Sequence, residues 1–199
     1  MGINAFLLNF KEVDANVILV IFHVIGAAIG AGGAMMSDFL FFNAIKDKKI
    51  SSDEFSSLVT VSKAIWAGLL ILILSGLGLF TLVYLERGSI PMLSSPRWQT
   101  KLTLVVVVIL NGIFFRAVVF SRMKKLIDRS ITLENIGKSI WYFAASGVIS
   151  ITAWYTIIII SLLPRSFRVS YALLIGFYLL IVICGTLLAR YILARKFSA

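Results

Sequence analysis

The chain has 199 residues, of which 60% are hydrophobic and 14% are charged, and its mean hydropathy is +1.00. A soluble domain of this size cannot hide that much apolar surface, so the composition excludes a soluble globular protein and indicates a polytopic membrane protein. The net charge of +10 does not indicate nucleic acid, because the cations lie in short loops beside apolar segments, where they act on topology and lipid headgroups. We therefore expect one membrane domain over residues 1–199, with the lipid bilayer as its partner.

The first apolar segment, residues 17–44, follows a short segment (1–15) that we expect to lie at the membrane interface. About 20 residues in a helix cross the hydrocarbon, so the segment predicts a spanning helix. It contains the single histidine of the chain, His23, and a carboxylate, Asp38. A titratable group inside a spanning helix usually faces protein or a cavity, which makes it a candidate for function.

Small residues follow His23 at spacings of three and four and therefore share one face of this helix. They include Gly26, Gly30, Gly33 and Ser37. A face with so few side chains accommodates either a closely packed neighbouring helix or a flat ligand.

Four more spans are predicted, over residues 59–85, 98–120, 136–163 and 169–193. The polar cluster from Ser51 to Glu54 suits an N-terminal cap for the second helix. The segment TLEN (132–135) suits the start of the fourth helix with Thr132 as its cap, and Pro164 ends that helix. The predicted fold class is all-α, a polytopic membrane protein with five transmembrane helices.

The distribution of lysine and arginine predicts the orientation. The N-terminal segment and the second and fourth loops carry six of these cations, whereas the first and third loops and the C-terminus carry twelve. Since positive loops stay in the cytoplasm, we expect the N-terminus outside and the C-terminus inside. His23 would then lie on the order of 10 Å below the outer surface.

Helix directions place several candidate residues in the outer half of the bundle with His23. These candidates provide small residues, hydroxyls, aromatic rings and a cation near the imidazole. They are Gly26, Gly30, Gly76, Lys101, Ser150, Trp154 and Tyr155. A neutral imidazole is a frequent ligand of haem iron, so His23 is the candidate metal ligand. The alternative is that His23 only joins helices through a hydrogen bond to Ser75, Ser150 or Tyr155.

The polar residues near the cytoplasmic ends of the spans are each explained by a structural role. We expect Asp38 to pair with Lys63 or Arg116, or to lie among headgroups. Asn111 suits an interhelical hydrogen bond, and Arg116 suits a cation that extends to the membrane surface.

Three stretches carry a resemblance: FHVIGAAIGAGGAMMSDFLFF (22–42), SGLGLF (75–80) and RWQTKLTLVVVVILNG (97–112). Together they resemble a bacterial membrane superfamily that includes copper-resistance D-type proteins and HemJ-type protoporphyrinogen oxidases. The resemblance implies that His23 and Lys101 are haem-associated residues. The chain has no second histidine, so one chain cannot supply bis-histidine ligation.

The leading hypothesis is a bacterial inner-membrane protein that binds haem b, or a similar porphyrin, near its outer face. His23 would be the axial ligand, Lys101 a second ligand or a propionate partner, and Trp154 and Tyr155 the pocket wall. The role would be electron transfer or a membrane redox step, as a component of an oxidoreductase, with a membrane redox partner or a second copy of the chain.

Two alternatives remain open. One is a non-enzymatic scaffold or partner subunit whose glycine-lined face packs a helix of another protein. The other is a small ion or proton transporter that uses His23, Asp38, Asn111 and Arg116 as a path.

Overall fold

The computed structural model describes residues 14–132, 136–137, 139–164, 166 and 168–198. Residues 1–13 of the expected interfacial segment and most of the TLEN segment lie outside these residues, whereas Asp14 and Ala15 form the cap and the first residue of the first helix. The described chain forms five long helices and no strand: α1 (Ala15–Ala44), α2 (Ser52–Arg87), α3 (Pro96–Lys124), α4 (Ser139–Leu162) and α5 (Tyr171–Ser198). All five are long and apolar enough to cross a bilayer. The all-α, five-helix class is therefore confirmed, and the chain is a multi-pass membrane protein.

The start of α2 shows why its predicted boundary was too late. The Ser51 hydroxyl accepts a hydrogen bond from the Glu54 amide at 3.2 Å, and the Glu54 carboxylate accepts one from the Ser51 amide at 2.9 Å. This reciprocal capping box starts the helix at Ser52, seven residues before the apolar stretch that was expected to define it. The cap itself is confirmed. The helix ends at Arg87 and is capped by Gly88, whose φ of 66° is the left-handed conformation that glycine adopts without strain.

The remaining boundaries also differ from the hydropathy limits. Helix α3 begins at Pro96, which suits the first helical position, and runs to Lys124, four residues beyond the prediction. It contains one π-helical turn, Phe115–Val119. Helix α4 ends at Leu162, two residues before Pro164, and α5 extends five residues beyond its predicted end.

Two clusters of buried side chains hold the helices together. The mid-bundle cluster joins α1 to α5 at the centre and contains Ala34, Leu69, Leu72, Leu104, Val108, Ala153, Trp154 and Tyr178. The loop-side cluster lies where α1 and α3 end, and it contains Ile45, Ile50, Leu58, Val119, Phe120, Met123, Leu126, Ile131, Ile136, Ile140, Phe143, Ala144, Leu193 and Phe197. The candidate site lies between them.

The loop from α1 to α2 is bonded to the loop that follows α3. The Asp128 amide donates to the Ile50 carbonyl at 2.9 Å, and the Ile131 amide donates to the Lys48 carbonyl at 2.7 Å. These bonds satisfy backbone groups next to the loop-side cluster and bring two basic loops side by side.

Candidate functional site: a polar cavity at Asp38

His23 packs directly against α2. Its Nδ1 lies 3.1 Å from the Leu72 carbonyl oxygen and 3.1 Å from the Ser75 hydroxyl, which confirms Ser75 among its three expected partners. A carbonyl oxygen only accepts hydrogen bonds, so a neutral imidazole in this geometry carries its proton on Nδ1 and leaves Nε2 unprotonated. The ring also lies against Gly76, where an added Cβ would meet the ring carbon Cε1 at 3.3 Å. His23 therefore joins α1 to α2.

The glycine-lined face of α1 is filled from within the chain. A Cβ on Gly26 would lie 2.6 Å from the Leu72 nitrogen, and one on Gly33 would lie 2.6 Å from Ile65 Cγ1. The six-membered ring of Trp154 occupies the space beside Gly30. These close approaches favour helix packing over a flat ligand. They also remove the basis for a partner helix on this face, because α2 and α4 already cover it.

Two other candidates for the haem pocket make their contacts with other residues. The Lys101 amine lies over the Trp98 ring of its own helix, at 4.8 Å from the centroid, and it is near enough to His23 for an electrostatic interaction. The Tyr155 hydroxyl donates to Met35 Sδ at 3.0 Å, three turns of helix along from His23. Ser150 and Trp154 line a different space, described below.

Haem binding at His23 requires a supported imidazole and a slot for the porphyrin, and the residues around His23 provide only the first. An Nδ1–H bonded to a carbonyl is the usual support for an imidazole that ligates metal through Nε2. A porphyrin also needs a slot, and the α1–α2 interface has none: Leu72, Gly76 and the side chain of Leu19, which lies against Gly78, close it. A haem bound to His23 inside the bundle therefore does not fit this interface. The haem site stays a prediction, and it would require the cofactor to bind His23 from the lipid side.

A polar cavity of about 50 Å³ lies deeper in the bundle, among α1, α2, α3 and α4. Since a single water needs roughly 10–15 Å³ of such space, the cavity has room for a few waters or one small cation. Its polar lining comes from all four helices and consists of Ser37, Asp38, Ser62, Asn111 and Ser150, with Trp66, Phe115 and Trp154 as aromatic walls. Helix α5 does not line it.

Asp38 is the single carboxylate of this lining. One turn before it, Ala34 belongs to the mid-bundle cluster, and one turn after it, Phe41 packs on Phe143 beside the loop-side cluster, with ring centroids 5.9 Å apart. The carboxylate thus lies between two apolar layers, about 9 Å from the end of α1. Gly147 on α4 lies next to it, and a Cβ there would be in ordinary van der Waals contact with Asp38 Oδ1, at 3.4 Å.

The expected ion pair of Asp38 is wrong. Lys63 and Arg116 are both exposed at the surface, and Asp38 makes no ion pair or hydrogen bond with the described part of the chain. Helix rotation explains this result, because the side chains of Lys63 and Arg116 point away from the bundle while Asp38 points into it.

The hydroxyl groups of the cavity serines are free to bond to a ligand or to water. Within the described ranges, Ser37, Ser62 and Ser150 make no side-chain hydrogen bond, whereas the lipid-facing Ser161 donates to the carbonyl four residues earlier at 2.7 Å. A serine in a spanning helix normally satisfies itself in that way. Three hydroxyls that are available to water or to a cation therefore line the cavity beside the carboxylate.

Asn111 and Trp154 complete the polar lining. Asn111 Nδ2 donates to the Ser146 carbonyl at 2.9 Å, which confirms the expected interhelical bond. Since the amide nitrogen must face that carbonyl, the amide oxygen remains as an acceptor. Trp154 is 2% exposed, and its indole N–H lacks a partner among the described residues. The described chain contains no group of three His, Cys, Asp or Glu side chains able to hold a metal ion. The cavity offers one carboxylate, serine hydroxyls and an amide oxygen, and these oxygen donors suit a proton or a hard monovalent cation.

Comparison of the chain with models of protein families, with curated proteins and with solved structures finds no match in any of the three. The chemistry of the cavity therefore carries the functional argument.

Proposed function

We propose that this protein moves protons, or a small monovalent cation, across a membrane by way of the Asp38 cavity. The main observation behind this proposal is the Asp38 carboxylate, which lies at membrane depth, lines a polar cavity and has no cation partner in the described chain. An ionised carboxylate without a partner in a medium of low dielectric costs several kcal/mol. The group is therefore neutralised by binding a proton or a cation, and release of that charge on the opposite side would complete a transport step.

The rest of the lining supports this chemistry. Hydroxyls of Ser37, Ser62 and Ser150 and the amide oxygen of Asn111 are acceptors that suit a hydrated proton or a hard cation. The apolar clusters that flank the cavity along the bundle suit a gated carrier more than a wide open pore.

The π-helical turn of α3 begins at Phe115, which is also a wall of the cavity. Turns of this kind occur frequently at functional sites. A change between π and α geometry there would move Phe115 relative to Asp38, which is the motion that a gate next to the cavity requires.

The experiment compares the same substitution, aspartate to asparagine, at Asp38 in the cavity and at Asp14 outside it. Purified protein is reconstituted into vesicles that enclose a pH-sensitive dye, and a potassium diffusion potential drives uptake. Asp38→Asn should lower proton uptake at least tenfold, while Asp14→Asn should leave it unchanged, because Asp14 is an exposed helix cap and asparagine caps equally well. Uptake that Asp38→Asn does not alter would refute the proposal.

The same vesicles separate a proton from a metal cation. If the dye reports acidification with a bulky organic cation as the only external salt, the carried species is the proton. If labelled sodium or rubidium enters matched vesicles and the dye reports no acidification, the carried species is the metal cation. Either result supports transport through Asp38, provided that Asp38→Asn abolishes it.

Location and orientation are part of the proposal. The excess of lysine and arginine in the first and third loops and at the C-terminus supports an N-terminus outside and a C-terminus inside. A bacterial inner membrane follows from the resemblance noted above and from this charge bias. In that orientation the cavity lies in the cytoplasmic half of the bilayer.

A further inference from the structure

A second pocket lies outside the bundle core, where α3 ends and α4 begins, and it has a volume of about 400 Å³. This volume falls in the range of small-molecule sites. Two cations, Arg122 and Lys125, and two hydroxyls, Ser121 and Ser139, form its polar end. Ala117, one turn earlier on α3, contributes to its apolar wall. The pocket is thus polar and cationic at one end and apolar at the other.

The arginine of this pocket is held in place before any ligand arrives. Arg122 Nη1 donates to the Ser139 hydroxyl at 2.9 Å, and the guanidinium stacks on the Tyr142 ring at 4.7 Å from its centroid. Ser139 is itself buried, at 8% exposure. A guanidinium has five N–H donors in a rigid fork that matches phosphate oxygens, so one bond to Ser139 leaves donors for an anion while fixing their direction.

The location of the pocket identifies the kind of anion. Ala117 belongs to the apolar, membrane-crossing part of α3, whereas Arg122 and Lys125 lie at its end. The pocket therefore straddles the boundary between hydrocarbon and water. A phospholipid has the same order of parts, an acyl chain followed by a phosphate. Basic pockets between helices at a membrane surface bind anionic headgroups in this way.

Neighbouring basic loops reinforce the positive potential. The backbone bonds from Asp128 to Ile50 and from Ile131 to Lys48 hold the first loop, with Lys48 and Lys49, against the loop that follows α3. Charge gathered from two loops at one membrane surface favours anionic over zwitterionic lipid.

We propose that this pocket binds an anionic phospholipid, with the phosphate on Arg122 and Lys125 and an acyl chain along Ala117. The proposal is independent of the transport proposal, because none of these residues lines the Asp38 cavity.

The test measures lipid affinity by native mass spectrometry of the full chain in neutral detergent, with phosphatidylglycerol or phosphatidylcholine as the titrant. Each cation near a membrane surface contributes about fivefold in affinity, so Arg122→Gln/Lys125→Gln should weaken phosphatidylglycerol binding about 25-fold. The control pair Lys63→Gln/Lys124→Gln removes the same charge at exposed positions outside the pocket, and it should change the affinity less than fivefold. Equal losses in the two pairs would overturn the proposal.

A steric variant covers the case in which the charge variants fail to fold. Ala117→Trp keeps every cation and fills the apolar end of the pocket from an exposed position. It should lower the affinity for phosphatidylglycerol at least tenfold. Competition identifies the source of the phosphate: millimolar inorganic phosphate should not displace the lipid, and displacement would show a free-anion site instead. Equal affinities for phosphatidylglycerol and phosphatidylcholine would also overturn the proposal.

Discussion

The contact between α1 and α2 at Gly26 gives a sharp test of the fold. In Gly26→Ala the new Cβ would lie 2.6 Å from the Leu72 nitrogen and 2.8 Å from the Gly68 oxygen. Both are backbone atoms of a helix, so no flexible side chain can move aside. An ordinary contact begins near 3.4 Å, and the two helices would therefore have to separate by about 0.8 Å.

That separation has an energetic cost and a local signature. Overpacking of this kind costs about 1–3 kcal/mol, and it outweighs the 0.5–1 kcal/mol that alanine gains over glycine in a helix. The bond from His23 to the Leu72 carbonyl is one turn away and already 3.1 Å long, so the same movement would break it.

Gly32→Ala is the matched control, because a Cβ there meets nothing within 4 Å. Unfolding in mixed micelles by added sodium dodecyl sulfate should show Gly26→Ala destabilised and Gly32→Ala unchanged or slightly stabilised. The free energies of unfolding of the two variants should differ by about 2 kcal/mol. Equal stabilities would refute the close helix contact and the packing interpretation of this face.

Three further predictions address the cap, the histidine and the cavity. Ser51→Ala removes the side-chain half of the capping box and should lower the free energy of unfolding by about 1 kcal/mol, with Ser57→Ala, an exposed serine inside α2, unchanged or slightly stabilised; equal effects would contradict the role of the cap. Because the α1–α2 interface has no slot beside His23, protein purified from haem-replete cells should show no Soret band, and a band lost in His23→Ala would instead establish the haem site. Gly147→Ala places a methyl group in ordinary contact with Asp38 Oδ1, at 3.4 Å, and takes space from a cavity of only about 50 Å³, so it should slow proton uptake several-fold without unfolding the chain. Gly176→Ala, with nothing within 4 Å, should leave uptake unchanged, and equal rates in the two alanine variants would place the transport path elsewhere.

Local signals in the sequence predicted local structure well. Ser51 and Glu54 are three residues apart, and their bonds form within one turn, so the cap was readable without any tertiary information. The start of α2 was placed late for the opposite reason, since the polar residues that follow the cap lower the hydropathy while their backbone is already helical. His23 and Ser75 were matched correctly because consecutive antiparallel helices share a depth that the loop between them fixes.

The cavity was not predicted, because it depends on how far each helix is rotated and shifted. Periodicity shows which residues share a face, but it does not show which neighbour that face meets. Trp154 was expected beside His23, yet its ring lies against Gly30, two turns lower. Asp38 was expected to meet a cation, yet it faces Ser62 and Asn111 across the cavity. The available signal was a carboxylate inside an apolar span, which pointed to the residue but not to its partners.

The measurement that tests the central claim most directly is proton or cation uptake by vesicles containing Asp38→Glu and Asp38→Asn side by side. If a carboxylate in the cavity carries the charge, Asp38→Glu should retain a measurable part of the wild-type rate, and Asp38→Asn should fall to the rate of empty vesicles. The asparagine variant should also be at least as stable as wild type, because its neutral amide has nearly the same size as the carboxyl group and does not need a bound proton or cation to neutralise it. Equal rates in the two variants, or wild-type uptake in Asp38→Asn, would contradict the account.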